Sequence, residues 1–363
     1  MRYYIIAGEA SGDLHGSKIM ESIKKIDNKA KFRFWGGEKM KGIGGKIVKH
    51  INQLSFMGFW EVLTNINIIL KNISFCKKDI NGFQPDRIIY IDYPGFNMLI
   101  AKWAKKKGFE NHFYISPQIW AWKESRIKKI KRDIDYMYVI LPFEREYYKK
   151  KHNLDVHYVG HPLVEIINKE IAKTDLLSLK LTKPVIALFP GSRKQEIKKM
   201  LPIFKSVINH FSNYEFVIAG VSTSKEWYID MLKDDKIKIV YDKTYSLLKK
   251  STAALVTSGT ATLETALFNV PQIVCYKSSL FSYLIGKLFI KVKFISLVNI
   301  IMEREVVKEL IQKDCSKSKI VNELSKLLKN ENVLNLKKEY KILRERLGKE
   351  KTSLKVAKMI TKI

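Results

Sequence analysis

The sequence predicts an α/β protein made of two doubly wound parallel-sheet domains. Short apolar runs alternate with helical patterns along the chain, which is typical of βα units. A polar, lysine-rich stretch bounded by Pro162 and Pro184 divides this alternation into two halves. A chain of 363 residues is longer than a domain with a single hydrophobic core usually is, and it suits two domains. We therefore expect two Rossmann-like domains that face a cleft between the carboxyl ends of their strands.

The apolar runs have the length of strands, and the amphipathic segments between them have the length of helices. In the first half the predicted strands are Tyr3–Ala7, Phe32–Trp35, Arg87–Ile91, His112–Ile115, Tyr136–Leu141 and His157–Val159. The predicted helices there are Leu14–Ile26, Phe59–Ile73 and Phe96–Lys107. In the second half the predicted strands are Val185–Phe189, Glu215–Ala219, Lys238–Tyr241, Ala253–Val256 and Gln272–Tyr276. The helices predicted between them are Gln195–His210, Tyr245–Lys250 and Ala261–Phe268.

Domain boundaries follow from the same alternation. We expect an N-terminal domain over residues 1–165, a linker over 166–183 and a second sheet domain over 184–316. Residues 317–363 are charged and favour helix, with Gly348 as a break. This tail is expected to pack back on the N-terminal domain or on a partner subunit.

The formal charge of +30 arises from 66 basic and 36 acidic residues. Such a field suits nucleic acid or an anionic membrane surface. The alternative is that the many lysines reflect only AT-rich coding. The lysines are dispersed and no nucleic-acid-binding motif is present, which disfavours nucleic acid as a partner.

Three cysteines, Cys76, Cys275 and Cys315, lie far apart, so we expect a reducing compartment and neither a disulfide framework nor a zinc site. The N-terminal apolar run is too short for a signal peptide. The nearest candidate for a membrane span, Phe281–Met302, is interrupted by three lysines. The sequence predicts a soluble or peripheral protein.

The strand Val185–Phe189 leads into Pro190-Gly191-Ser192-Arg193, and a helix begins near Gln195. Gly191 permits close backbone approach, and a helix N-terminus presents unpaired N–H groups to an anion. Arg193 adds a planar cation that suits bidentate phosphate contact. The loop therefore predicts a diphosphate site; the alternative is an ordinary βα turn with a surface arginine.

A second loop of this kind, Ser258-Gly259-Thr260, precedes a helix that carries Glu264 one turn later. Hydroxyls and a glycine at a helix start suit phosphate, although Ser and Thr are also ordinary N-cap residues. Two such loops in one domain favour a nucleotide diphosphate more strongly than either alone.

In the first half, Gly8-Glu9-Ala10-Ser11-Gly12-Asp13 lies between a strand and a helix and matches neither GxGxxG nor GxxxxGK[ST]. A glycine-rich loop here would let an acceptor sugar approach the backbone. Asp92 ends the strand Arg87–Ile91, where a carboxylate faces the cleft as a general base would. The alternative for Asp92 is an N-cap or turn role.

Asp133-Ile134-Asp135 has the spacing of a metal-binding DxD motif, but it precedes the strand Tyr136–Leu141. The amino end of a strand is the wrong edge for the active cleft, so we interpret this segment as a solvated turn.

Together these segments resemble lipid-A-disaccharide synthase, a family of bacterial glycosyltransferases with the GT-B architecture. The matching segments are Gly8–Asp13, Met57-Gly58 with Glu61-Val62, Ile91-Asp92 with Phe96-Asn97, Ser116–Lys123, Leu141–Glu144, Gly160–Pro162, Pro190–Arg193, Ser258–Thr260 with Leu263-Glu264, and Asn299 with Arg304-Glu305. They occur in the family's order from Tyr3 to about Gln312, and the pair Trp120 and Trp122 is their most specific element.

The resemblance implies an inverting, metal-independent hexosyltransferase of lipid A biosynthesis that needs no cofactor. The family joins the 2,3-diacylglucosamine of a UDP donor to 2,3-diacylglucosamine 1-phosphate, makes a β-1,6 disaccharide and releases UDP. Asp92 would be the base, and Arg193 would stabilise the leaving diphosphate. The resemblance also implies a cytoplasmic protein, peripheral at the inner membrane, and a homodimer.

The site residues divide between the two halves. The expected donor-binding residues are Gly191, Ser192, Arg193, Ser258, Gly259, Thr260, Glu264, Asn299 and Arg304. The expected acceptor and acyl-chain residues are Gly8, Glu9, Ser11, Gly12, Asp13, Met57, Glu61, Asn97, Ser116, Gln118, Trp120 and Trp122. No metal-binding residue is expected.

The chain departs from the family pattern in the second half and near Asp92. Gly95 stands where aspartate is common, Val298 where proline usually precedes Asn299, and Met302-Glu303 where Ala-Gly is expected before Arg304. An accessory acid at position 95 is therefore absent, and the contacts around Asn299 are expected to differ.

Apolar residues recur at helical spacing between Phe59 and Ile73, which indicates core packing or, with lipid substrates, part of an acyl pocket. Two other functions remain open at this point. One is a UDP-N-acetylglucosamine 2-epimerase with the same architecture, and the other is a non-catalytic basic protein that binds membrane or nucleic acid.

Overall fold

The computed structural model describes residues 1–54, 66–173, 179, 181–232, 237–278, 293–348 and 351–361. The chain forms two compact units. Unit 1 comprises Met1–Pro162 and Lys349–Ile363, and unit 2 comprises Leu163–Gly348. Each contains one parallel sheet flanked by helices, so the predicted fold class of two Rossmann-like α/β bodies is confirmed.

The strands of unit 1 are β1 (Arg2–Ala7), β2 (Lys31–Gly36), β3 (Lys46–His50), β4 (Arg87–Ile91), β5 (Asn111–Tyr114), β6 (Tyr136–Val139) and β7 (His157–Tyr158). Its helices are α1 (Ala10–Ile26), α2 (Glu38–Ile43), α3 (Ile66–Phe83), α4 (Pro94–Lys106), α5 (Ile127–Asp133), α6 (Glu144–His152) and, from the C-terminal segment, α15 (Thr352–Thr361).

The unit 1 sheet has the order β3-β2-β1-β4-β5-β6-β7, with every described pairing parallel. After Arg2, all residues of β1 are buried, because helices cover both faces of the sheet. The chain order reverses between β1 and β4, so the carboxyl ends of these strands form the edge where such sheets bind ligands.

The strands of unit 2 are β8 (Val185–Phe189), β9 (Glu215–Gly220), β10 (Lys238–Tyr241), β11 (Ser251–Thr257), β12 (Gln272–Tyr276) and β13 (Lys308–Ile311). Its helices are α7 (Pro162–Ile171), α8 (Lys194–Val207), α9 (Lys225–Met231), α10 (Thr244–Lys250), α11 (Thr260–Leu267), α12 (Leu297–Met302), α13 (Lys317–Leu327) and α14 (Asn330–Arg346). The sheet order is β10-β9-β8-β11-β12-β13, again parallel, and β8 is buried along its whole length.

The C-terminal helix α15 packs against α1 in unit 1. Val356, Ala357 and Ile360 are buried in the same apolar cluster as Ile19 and Ile23. The Ser22 hydroxyl also donates a hydrogen bond of 3.1 Å to the Ser353 hydroxyl. The segment 317–363, predicted as one tail, is thus shared between the units: α13 and α14 belong to unit 2, and α15 completes the core of unit 1.

Three further differences from the sequence predictions have physical reasons. The predicted linker 166–183 begins inside α7, whose apolar face contributes the buried Ile166 and Ile167. Strands β3 and β13 were not predicted, because each is a sheet edge that begins with an exposed lysine and has no long apolar run. Asp133 is buried rather than solvated, and its carboxylate pairs with Arg132 at 2.7 Å.

Candidate active site

The carboxyl edge of the unit 1 sheet contains residues in strained backbone conformations. Asp92 and Tyr93, directly after β4, have φ values of 47° and 50°, and Ile115, directly after β5, has 63°. A β-branched residue with positive φ is a genuine outlier, and such strain concentrates at functional sites. The Asp92 N–H donates to the Tyr114 carbonyl at 3.0 Å, which fixes the turn between the two strands.

The Asp92 carboxyl group has the ionisation properties of a general base. Burial and the nearby Glu9 carboxylate together raise the pKa of Asp92 to about 6, because both disfavour a second negative charge. A base with a pKa just below neutrality is ionised at pH 7 and still accepts a proton efficiently. The buried Asn97 side chain donates to the Asp92 carbonyl at 2.7 Å and so holds the backbone of this turn.

The glycine-rich segment after β1 is shorter than predicted, because α1 begins at Ala10 and places Ser11, Gly12 and Asp13 in its first turns. Gly8 and Glu9 remain in the loop. A Cβ at Gly8 would lie 2.5 Å from the ring of Tyr93, so only glycine lets this ring pack on the loop. Glu9 is therefore presented beside Asp92, while Ser11 is exposed.

Asp13 has a structural role within unit 1. Its buried carboxylate accepts hydrogen bonds from the backbone N–H groups of Gly37, Lys39 and Met40 at 2.7 to 3.1 Å. These contacts cap the start of α2 and connect α1 to the end of β2. Contact between Asp13 and the acceptor stays a prediction.

The segment 116–126, which follows β5, is held by Glu144 at the start of α6. The buried Glu144 carboxylate accepts from the Ser116 hydroxyl at 2.9 Å and from the Trp120 indole N–H at 3.1 Å. It also accepts from the backbone N–H groups of Ile140 and Leu141. Burial raises the pKa of Glu144 although these hydrogen bonds oppose the shift. The sequence motif contained Glu144, but only the structure shows that it orients Ser116 and Trp120.

The same segment leaves Gln118 and Trp122 exposed. The Trp122 indole is 40% exposed, and two cations lie over it: the Lys123 ammonium at 4.6 Å and the Arg126 guanidinium at 4.9 Å from the ring centroid. Of the predicted acceptor residues in this segment, two are therefore tied to Glu144 and two are open to a ligand.

In unit 2, the predicted diphosphate loop contains an internal anion. Gly191 has a φ of 105°, and Arg193 is the N-cap of α8. The Glu196 carboxylate accepts from the backbone N–H groups of Ser192 at 3.0 Å and Arg193 at 3.2 Å. It also pairs with the Arg193 guanidinium at 3.3 Å. The groups predicted to bind phosphate are thus able to bind an oxyanion, and Glu196 occupies them here.

The second loop begins α11 at Thr260, with Gly259 and Thr260 exposed. The Ser258 hydroxyl donates to the Ile295 carbonyl at 2.8 Å. Glu264 receives a hydrogen bond of 2.7 Å from the hydroxyl of Tyr245, a residue that the motif analysis did not single out. Burial raises the pKa of Glu264, while the Tyr245 hydrogen bond stabilises its ionised form.

Asn299 is fully buried, and its amide group is saturated. Its Oδ1 accepts from the N–H groups of Val306 and Val307, and its Nδ2 donates to the Val307 carbonyl and to the Glu309 carboxylate, all at 2.7 to 2.9 Å. Since an amide has two donor and two acceptor positions, none is left for a nucleotide. Asn299 shapes the segment 303–307, and direct contact with the donor stays a prediction.

Glu309, on the unpredicted strand β13, connects the two loops of this region. Its carboxylate accepts from the N–H groups of Ile295 and Ser296 and from Asn299. Because the Ile295 carbonyl in turn holds Ser258, one carboxylate orders both the 258–260 loop and the 303–307 segment. Arg304 is half exposed and pairs with Glu339 of α14.

Two predicted acceptor residues, Met57 and Glu61, lie outside the described residues, as do residues 59–65 of the predicted apolar helix. Where the structure describes the chain, no group of three or more His, Cys, Asp or Glu side chains is arranged to hold a metal ion. No described helix is both long enough and apolar enough to cross a bilayer.

A family model described as lipid-A-disaccharide synthetase matches residues 3–363 of the chain. The chain belongs to this family. Among curated members, the lipid-A-disaccharide synthase of Coxiella burnetii (strain CbuK_Q154) is 36% identical over 335 residues, which cover 90% of this chain and 89% of the relative. As a member of the lipid-A-disaccharide synthetase family, the chain is a disaccharide-forming glycosyltransferase.

Solved structures show the same fold in enzymes of two kinds. A UDP-GlcNAc 2-epimerase of Methanocaldococcus jannaschii aligns over 100% of both chains with a TM-score of 0.67 and 14% identity. The calicheamicin glycosyltransferase CalG4 aligns over 99% of this chain and 97% of its own, with a TM-score of 0.61 and 11% identity. At such identities the likeness shows the fold alone. Membership in the lipid-A-disaccharide synthetase family therefore separates the transferase from the epimerase interpretation.

Proposed function

We propose that the protein transfers 2,3-diacylglucosamine from its UDP donor to the 6-hydroxyl of 2,3-diacylglucosamine 1-phosphate. The products are a β-1,6-linked disaccharide 1-phosphate and UDP. The observation that carries the proposal is Asp92, a carboxylate with a raised pKa in a strained turn at the ligand edge of unit 1, in a chain of this family.

In the proposed reaction, Asp92 accepts the proton of the acceptor hydroxyl as its oxygen attacks C1 of the donor sugar. The bond between C1 and the diphosphate oxygen breaks, and UDP leaves with the electron pair. Attack opposite the leaving group inverts C1. Arg193 and the N–H groups of Ser192 and Arg193 stabilise the charge that develops on the diphosphate.

The remaining donor contacts are proposed for Gly191, Ser258, Gly259, Thr260 and Glu264. The Glu264 carboxylate is proposed to bind the ribose hydroxyls, and Tyr245 orients it. The acceptor is proposed to lie against Gly8, Glu9 and the exposed Gln118 and Trp122. We also propose that the enzyme uses no metal or other cofactor and works as a peripheral protein at the cytoplasmic face of the inner membrane, with a homodimer as its assembly.

The test is a purified assay with UDP-diacylglucosamine and diacylglucosamine 1-phosphate, read by mass spectrometry for the disaccharide. We expect product with the wild type in EDTA and at least about 100-fold slower turnover in Asp92→Asn, because a positioned base contributes that much or more. Asparagine tolerates the positive φ of this position, so the variant should fold.

Unchanged turnover in Asp92→Asn would remove the base assignment. Loss of product in EDTA that magnesium restores would remove the metal-independent mechanism. If the donor alone were converted to an epimer without acceptor, the transfer reaction itself would be contradicted. For Arg193→Ala, calorimetry with UDP is expected to show weaker binding.

A further inference from the structure

Arg126 is a half-buried cation for which the described part of the chain shows no carboxylate at ion-pair distance. It is the last residue of the 3-10 turn Glu124–Arg126, which Lys123 separates from the exposed Trp122. Partial burial lowers the pKa of its guanidinium, because desolvation disfavours the charge. An anionic partner would offset this cost of desolvation.

The nearest acid along the chain, Glu124, has other partners. Its carboxylate lies 2.7 Å from the Lys151 ammonium and 3.4 Å from the His152 ring. It therefore does not neutralise Arg126. The surrounding segment is strongly basic and includes Lys128, Lys129 and Lys131.

A second cation converges on the same indole. The Lys123 ammonium and the Arg126 guanidinium lie 4.6 and 4.9 Å from the Trp122 ring centroid. Each cation is attracted by the ring quadrupole, but two like charges near one ring repel each other. Lys123 also adopts a left-handed backbone conformation with φ of 53°. A dianion that binds both cations would reduce this repulsion and compensate the charge of Arg126.

The segment that contains these cations is fixed by hydrogen bonds to two residues of α6. Glu144 binds Ser116 and Trp120, and the Tyr148 hydroxyl donates to the Pro117 carbonyl at 3.2 Å. The segment follows β5, and Asp92 directly follows the neighbouring strand β4, so both lie at the carboxyl edge of the unit 1 sheet. A ligand held at Trp122 thus meets a preformed surface rather than a loop that must first be ordered.

We propose that Arg126 and Lys123, arranged around Trp122, form a subsite for a phosphate monoester, and that in the reaction it binds the 1-phosphate of the acceptor sugar. This assignment rests on the proposed function, because that function supplies the phosphorylated acceptor. A phosphate monoester is close to dianionic at neutral pH, and guanidinium is the cation best suited to bind it through two hydrogen bonds. The subsite would therefore select phosphorylated over unphosphorylated acceptors.

The test compares kcat/KM for diacylglucosamine 1-phosphate with kcat/KM for diacylglucosamine without the phosphate. Arg126→Met keeps an apolar stem beside Trp122 and removes the charge. We expect it to lower the preference for the phosphorylated acceptor by about tenfold or more, through a higher KM, since a charged hydrogen-bonding pair contributes that much. Arg126→Lys should recover part of the preference. Lys129→Met, which removes an exposed charge from the same basic segment, should keep the wild-type preference.

A wild-type preference in Arg126→Met would overturn the proposal. Flotation with phosphatidylcholine vesicles that contain phosphatidylglycerol tests whether the cations bind the phosphate of a lipid headgroup instead of the phosphate of the acceptor. If Arg126→Met lost vesicle binding but kept the acceptor preference, the cations would serve lipid headgroups and the acceptor assignment would be overturned.

Failure of the proposed function gives a different result, because the wild type would then make no disaccharide from either acceptor. In that case calorimetry with glucosamine 1-phosphate tests the subsite independently of turnover. Binding by the wild type that weakens in Arg126→Met supports the subsite, and equal affinity contradicts it.

Discussion

The Tyr245 hydroxyl donates a hydrogen bond of 2.7 Å to the Glu264 carboxylate, and the Tyr245 ring packs on Phe268 at 5.3 Å between centroids. The two residues lie on neighbouring helices of unit 2, α10 and α11. This contact leaves the carboxylate one fixed orientation, which is the condition for selective recognition of a pair of hydroxyls.

The first prediction is that Tyr245→Phe weakens UDP binding by about three- to tenfold and reduces the discrimination between UDP and 2′-deoxy-UDP. The ring packing is kept, and only the hydrogen bond that orients Glu264 is lost. Calorimetry with both nucleotides measures the effect. Tyr228→Phe is the matched control, because the buried Tyr228 hydroxyl has no described partner. Equal effects of the two variants would show that Tyr245 does not act through Glu264.

The second prediction concerns pH. Since the Asp92 base must be ionised and its pKa is about 6, kcat/KM should fall as pH drops below about 6. Glu9→Gln removes a like charge, so the pKa of Asp92 should decrease and the acidic limb of the profile should move to lower pH. Glu38→Gln, at an exposed position of α2, should leave the limb in place. A limb that stays at the wild-type pH in Glu9→Gln would contradict the coupling between Glu9 and Asp92.

The third prediction is that Glu196→Gln binds UDP more tightly than the wild type. The Glu196 carboxylate and a diphosphate need the same N–H groups of Ser192 and Arg193, and a neutral amide competes less strongly than a carboxylate. A gain of about three- to tenfold in affinity corresponds to about 1 kcal/mol. Glu331→Gln, an exposed charge on α14, serves as the control and should bind like the wild type. Weaker UDP binding in Glu196→Gln would show that this carboxylate supports the site rather than competing for it.

The fourth prediction contrasts two glycines near Asp92. A Cβ at Gly95, in the first turn of α4, would meet nothing within 4 Å, so Gly95→Ala should stabilise the protein by about 0.5–1 kcal/mol. Gly8→Ala should destabilise it, because the new Cβ would lie 2.5 Å from the Tyr93 ring. Urea denaturation measures both changes as shifts of the midpoint, provided that the dependence of the unfolding free energy on urea concentration stays the same. Two shifts of the same sign would contradict the packing described for Gly8.

The interior strands were predicted from sequence because their physical signal is local. Among these, β4, β8 and β12 have the predicted bounds, since a strand covered on both faces reads as a continuous apolar run between turn residues. The edge strand β10 also has its predicted bounds, because Ile239, Val240 and Tyr241 still form an apolar run. The edge strands β3 and β13 give no such signal. Each has a neighbouring strand on one side only, and the solvent on the other side tolerates charged residues such as lysine and glutamate.

For the site, sequence supplied the residue types but not their hydrogen-bond partners. The motifs place Asp92 at the end of a strand and Glu264 one turn into a helix, where the structure has them. Asn299 was recognised only as a family motif residue, and the helix Leu297–Met302 that contains it was not predicted. Whether an amide is open or saturated depends on chain segments brought together only by folding, as Val306, Val307 and Glu309 are around Asn299. The charge convergence at Trp122 depended in the same way on the turn Glu124–Arg126, which composition does not reveal.

The return of α15 to unit 1 has a consequence for how the protein is made. Residues 1–162 emerge from the ribosome first. The apolar face of α1 cannot pack against Val356, Ala357 and Ile360 until residues 352–361 have been synthesised. Unit 2 is continuous in the chain and can close its own core earlier. The part that is translated first is therefore expected to complete its core last.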